Sequence, residues 1–102
     1  MILGRVVGTV VATQKDAALG GLRLLVVQPL DIRTFADSGP TIVALDVAGA
    51  GQGEIAMVVS GSSARLAGTF ANKVPTDQAI TAIIDSVEIM GTQVFSATEN
   101  NA

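Results

Sequence analysis

The stretch Asp46-Val-Ala-Gly-Ala-Gly-Gln-Gly-Glu-Ile-Ala-Met-Val-Val-Ser-Gly-Ser-Ser-Ala-Arg65 decides how this chain reads. Two glycine-rich turns bracket one short apolar run. In the first turn, Gly49, Gly51 and Gly53 alternate with Ala50 and Gln52, a pattern that lets the backbone take a positive φ and turn tightly. The run Ile55 to Val59 is short and rich in β-branched residues, which predicts a strand. The second turn, Ser60-Gly61-Ser62-Ser63, leads into Ala64-Arg65, and Ser62 or Ser63 is placed to cap a short helix. A turn, strand, turn unit of this size points to an all-β chain.

Outward from this centre, the same punctuation recurs. Met1 to Gln14 is the longest strand candidate, and Gly4 and Gly8 inside it mark bends of the kind that curl a sheet into a barrel. Lys15 to Gly21 reads as a hairpin loop. Leu22 to Gln28 is a second strand with Leu22, Leu24 and Val26 on one face, and Pro29 should end its pairing. Asp37-Ser38-Gly39-Pro40 is a turn before a third strand, Thr41 to Leu45. Leu66 to Pro75 is an irregular or briefly helical insert. Asp77 to Ile89 fits a helical stripe (Ile80, Ile83, Ile84, Val87) about as well as alternation, and its β-branched content favours a strand. Val94-Phe95 is a small final strand, and residues 97–102 are expected to fray. The expectation is one domain, residues 1–96, folded as a small closed five-stranded β-barrel similar to an OB-fold.

Composition restricts what such a barrel can do. The 102 residues are 49% hydrophobic but only 15% charged, against about a quarter charged in average soluble domains. So small a domain keeps much of its surface exposed, so some of this aliphatic surface should be covered by copies of itself or by a partner. The longest apolar runs fall short of the ~18 residues of a spanning helix, so no membrane partner is expected. The opening residues lack a basic region followed by an apolar one, so a secretory signal is not expected. With no Cys and no His, disulfides, thiolate chemistry, most zinc sites and the commonest general base are gone. A net charge of −3 argues against a nucleic-acid surface.

The candidate chemical motifs fail in turn. The glycines at 49, 51 and 53 do not have dinucleotide-loop spacing, because Glu54 stands where a further glycine would have to follow and no Lys-Ser/Thr pair comes after. Gly61-Ser62-Ser63-Ala64 is not a nucleophile elbow. Asp46, Glu54 and Asp85 sit at strand ends, where exposed or ion-paired carboxylates are the rule. No catalytic, cofactor-binding or metal residue is therefore expected, and the protein is not expected to be an enzyme. Arg65 is a candidate to meet Asp46 or Glu54 of a neighbouring subunit, since Arg favours bidentate interface pairs, the alternative being a solvated or intrachain Arg.

Four pieces of the chain, in order, carry a resemblance. They are Met1-Ile2-Leu3-Gly4-Arg5-Val6-Val7-Gly8 with Val10 to Lys15, Leu24 to Leu30, the Gly49 to Arg65 stretch, and Ala79-Ile80 through Ile83-Ile84-Asp85. Together they resemble the EutN/CcmL family, the small vertex proteins of bacterial microcompartment shells. The resemblance implies a structural subunit in the shell of a compartment in the bacterial cytoplasm. It implies a homo-oligomer, a ring of five capping the vertices of a polyhedral shell, with hexameric shell proteins as partners. It implies that the glycine turn packs near the ring axis. The pore or axis candidates are then Gly49, Ala50, Gly51, Gln52 and Gly53, or Ser60, Gly61, Ser62 and Ser63. The competing class is an OB-like module binding single-stranded nucleic acid or a small ligand. It would want stacking aromatics and a basic groove, whereas the chain has three Phe, no Trp and no Tyr.

Overall fold

Five strands close on one another. In the computed structural model, which describes residues 1–11, 23–61 and 77–97, β1 (Ile2–Val10), β2 (Leu24–Pro29), β3 (Ile42–Asp46), β4 (Ile55–Ser60) and β5 (Gln78–Ile83) form a barrel in the order β1-β2-β3-β5-β4. The β1–β2, β2–β3, β1–β4 and β4–β5 pairs are antiparallel, and β3–β5 is the parallel seam. This is the expected closed five-stranded, OB-like barrel. The hairpin loop expected at residues 15–21, the insert at 66–75 and the tail from residue 98 lie outside the described residues.

The core follows from strand alternation. Val6, Leu25, Val27, Ala44, Ala56, Val58 and Ile80 point inward and are essentially sealed from solvent. Small and branched side chains alternate here, as a narrow barrel requires. The inward set on β2 is thus Leu25 and Val27, with Leu24 and Val26 on the outer side. Leu45, Val59 and Ala79 are buried on that outer side, in a second cluster with Leu24 and Val47.

Gly4 is where β1 and β2 come closest. A β-carbon on it would run into Val27 Cγ1 and stand 2.9 Å from the Gln28 carbonyl oxygen. Further along β1 the register shifts between Val6 and Gly8, a bulge that adds local twist and helps the sheet curl. Pro29 is the last residue of β2, as its missing amide predicts, but the ladder outlasts it by one bond, from the Leu30 amide to the Leu3 carbonyl.

The strand expected over 77–89 is two strands. β5 ends at Ile83, the Ile84 amide donates to the Ile55 carbonyl, and the chain turns at Asp85. β6 (Ser86–Ile89) then pairs with β7 (Thr92–Ser96) in a hairpin outside the barrel. Apolar residues continue on both sides of this break, at Ile83, Ile84 and Val87, so hydropathy does not mark it. The hairpin ladder runs one rung further at its base, where the Ala97 amide donates to the Asp85 carbonyl. Phe95 also stacks on Phe35, with ring centroids 5.0 Å apart. Phe35 sits in the loop after β2, where Asp31 Oδ1 accepts the amides of Arg33 and Thr34 at 2.9 and 3.0 Å.

Candidate functional site

The glycine turn is built by one carboxylate. Asp46 ends β3, and its Oδ1 accepts the amides of Ala48 and Gly49 at 3.0 Å and of Ala50 at 3.3 Å. Its Oδ2 meets Arg23 Nη1 at 3.3 Å. Gly49 takes φ +79°, the left-handed backbone that a side chain would strain. The chain then drops the Ala50 methyl into the barrel core, where it is wholly buried. Asp46 therefore serves as an internal clamp that shapes the turn.

The second half of the turn is sewn to β1. Glu54 Oε1 accepts the Gly51 amide, and the Glu54 amide returns to the Gly51 carbonyl at 3.1 Å. The Gly53 amide donates to the Val6 carbonyl at 2.8 Å, and the Val6 amide to the Glu54 carbonyl at 2.9 Å. Gln52, Gly53 and Glu54 remain exposed and line one side of a cavity of about 220 Å³. Ile83, Asp85 and Phe95 line the other side. Two carboxylates, the Gln52 amide and apolar side chains make up this lining among the described residues, with no cation and no nucleophile paired to a base. Among the described residues no group of three or more metal-ligating side chains exists.

The structure separates the two turns named as axis candidates. Ser60 and Gly61 are exposed at the far end of β4, where Ser60 pairs with Gln78 and the Gly61 amide donates to the Asp77 carbonyl at 2.9 Å. Gln52 to Glu54 lie at the near end, about 20 Å away along a six-residue strand. Ser62, Ser63 and Arg65 lie outside the described residues. Of the first turn, Ala50 has no side-chain surface to present, and Gln52 with Glu54 supplies what projects. Sequence reading missed the Arg23–Asp46 contact, which joins two residues that no local pattern connects. The clamp itself had a local signal, since an Asp two residues before a small-residue turn readily accepts the amides that follow.

The comparisons agree with this geometry. The sequence model described as ethanolamine utilisation protein EutN/carboxysome matches residues 1–85. The microcompartment shell vertex protein GrpN of Rhodospirillum rubrum is 47% identical over 86% of this chain and 97% of its own. Among solved structures, CcmL of Gloeobacter violaceus superposes with a TM-score of 0.87 at 34% identity, covering 96% of this chain and 99% of that one. The R. rubrum GrpN structure, titled a pentameric microcompartment shell protein, gives 0.74 at 43% identity, covering 88% of this chain and 99% of that one. With the family's sequence model running from the first strand to the last strand of the barrel, and whole-length relatives above 30% identity, the chain belongs to the EutN/CcmL family.

Proposed function

We infer that the chain is a structural subunit of a bacterial microcompartment shell, a vertex protein that works as a ring of five identical copies. The observation that carries this reading is the whole-length match to shell vertex proteins in both sequence and barrel geometry. The pentameric relative supports the copy number. Physically, a wedge-shaped barrel meeting its neighbour by two different faces generates rotation, and a rotation that closes stops at a fixed number. Such a ring plugs the five-fold positions that flat hexameric tiles leave open in a closed shell, so hexameric shell proteins are its partners and the shell is its location. The part played is that of a scaffold rather than a catalyst, in keeping with relatives that are shell vertex proteins.

The turn at Gln52 to Glu54 and that at Ser60 and Gly61 lie at opposite ends of β4, so if both approach the ring axis they do so at two heights. A binding-module reading is not favoured. Two of the three Phe are stacked on each other, which engages one face of each ring, and the chain has no Trp or Tyr to add. Native mass spectrometry of the purified chain tests the ring, with an expected mass five times the 10.3 kDa chain. A monomer at micromolar concentration would overturn it.

A further inference from the structure

Every strand of the barrel has a partner on each side along part of its length. Over the β1–β2–β3 part of the wall, where the ladders are longest, a second subunit would meet outward side chains. Along β2 and β3 most of these are already engaged. Leu24 and Leu45 belong to the second buried cluster. Gln28 donates to the carbonyls of Pro29 and Gly39 at 2.9 and 3.0 Å. Between these two zones, Val26 and Val43 face outward directly opposite each other. On the other side of Val26 its partner is Gly8, and the bulge brings Val7 alongside. Val7 is 43% exposed and Val43 47% exposed. The result is an apolar row across β1, β2 and β3 with a notch at Gly8, where a β-carbon would touch only Val26, at 3.7 Å. The Arg5–Gln28 pair forms its polar border.

We propose that the Val7–Gly8–Val26–Val43 row is one of the two faces by which adjacent copies of this chain meet. The proposal rests on the ring reading above. An apolar row with a polar border, on a chain with few charges, has the anatomy of a subunit contact. The occupant is a second copy, because the pentameric relative is matched almost end to end by 88% of this chain. What closes its ring therefore belongs to the shared part. The row lies within the matched residues 1–85, as do the exposed Ile2 and Ile32, whereas Met90 at the hairpin turn lies beyond them. The notch at Gly8 lets the neighbouring chain come close to the wall.

The test compares Val43→Glu with Met90→Glu by native mass spectrometry, with circular dichroism to check the fold. A charge in the contact should convert the ring to folded monomers, while the same charge on the hairpin tip should leave the ring intact. An intact Val43→Glu ring overturns the proposal and leaves the ring reading standing, while a monomeric wild type overturns both. If Val43→Glu does not fold, the absence of native Cys allows a second measurement. Val43→Cys in the ring should react with a maleimide about tenfold or more slowly than Met90→Cys, since it is reached only by local opening. Equal rates in an intact ring overturn the proposal.

Discussion

Asp46 and Arg23 share a 3.3 Å contact in which the two partners are unequal: the Asp46 side chain is 1% exposed and the Arg23 side chain 51%. Each removal leaves a different remainder. Without Arg23 the carboxylate still has three amides, and a half-exposed ion pair is worth little. Without Asp46, three amides of the turn that seats Ala50 lose their acceptor at once. Asp46→Ala should cost about 2–3 kcal/mol of stability, and Arg23→Ala less than about 1 kcal/mol. Urea unfolding at fixed protein concentration checks both, since assembly itself adds stability by mass action. Equal losses would mean that the ion pair, and not the turn, is what Asp46 supports.

Gly4 and Gly8 lie on the same strand and should respond oppositely. Gly4→Ala forces a methyl against Val27 and the Gln28 carbonyl, where backbone cannot give way, and should destabilise by about 1–3 kcal/mol. Gly8→Ala meets only the Val26 side chain at an ordinary distance, so the folded subunit should change by less than about 0.5 kcal/mol. The readout is the difference between their urea midpoints at a dilution where native mass spectrometry finds each variant monomeric, so that ring contacts do not enter.

The Phe35–Phe95 stack is the aromatic link between the loop after β2 and the hairpin. Two-stranded hairpins are marginal by themselves, so this one depends on its base. A double-mutant cycle over Phe35→Leu and Phe95→Leu should give a coupling of about 0.5–1.5 kcal/mol. Amide exchange in β6 and β7 should speed up in either single variant, with β1 to β5 unaffected.

Asp31 should titrate below its ordinary value of 3.8, because the Thr34 amide and then the Arg33 amide stabilise its charged form. The sign follows. A depressed carboxylate supports its loop fully above the unfolded value, and the support is lost as pH falls through the lower, folded value. The amide shifts of Arg33 and Thr34 should therefore move in the acid limb below pH 3.8. In Asp31→Asn that movement should vanish. A midpoint at or above the ordinary value would contradict the hydrogen-bonded geometry.

Much of the barrel was legible in the chain. Pro29 and the Asp37 to Pro40 turn, with the glycine turn at 49–53, bound three of its strands with residues whose backbone preferences are strong. What escaped was non-local or balanced. Leu24 to Val27 is apolar on both faces, and both are buried to some degree, so parity alone does not reveal that Leu25 and Val27 line the core. β5 follows β4 as far as the bond from the Ile84 amide to the Ile55 carbonyl and then parts from it, a departure that no neighbouring residue signals. The Arg23–Asp46 contact joins residues 23 positions apart, so no local pattern signals it. The outer row at Val26 and Val43 depends on register between strands, a quantity fixed only when the wall is built.

Barrel closure also governs the order in which the chain can fold. Ile2 must pair with Val58, and Leu45 with Ala79 in the parallel seam, so the wall closes through contacts far apart in sequence. Such closure is slow compared with hairpin formation. During synthesis β1 leaves the ribosome long before β4 exists, and until β4 arrives β1 has one side unsatisfied. A chain stalled before Ile55 would be a curled, sticky ribbon, so timely completion of translation is a requirement for its solubility.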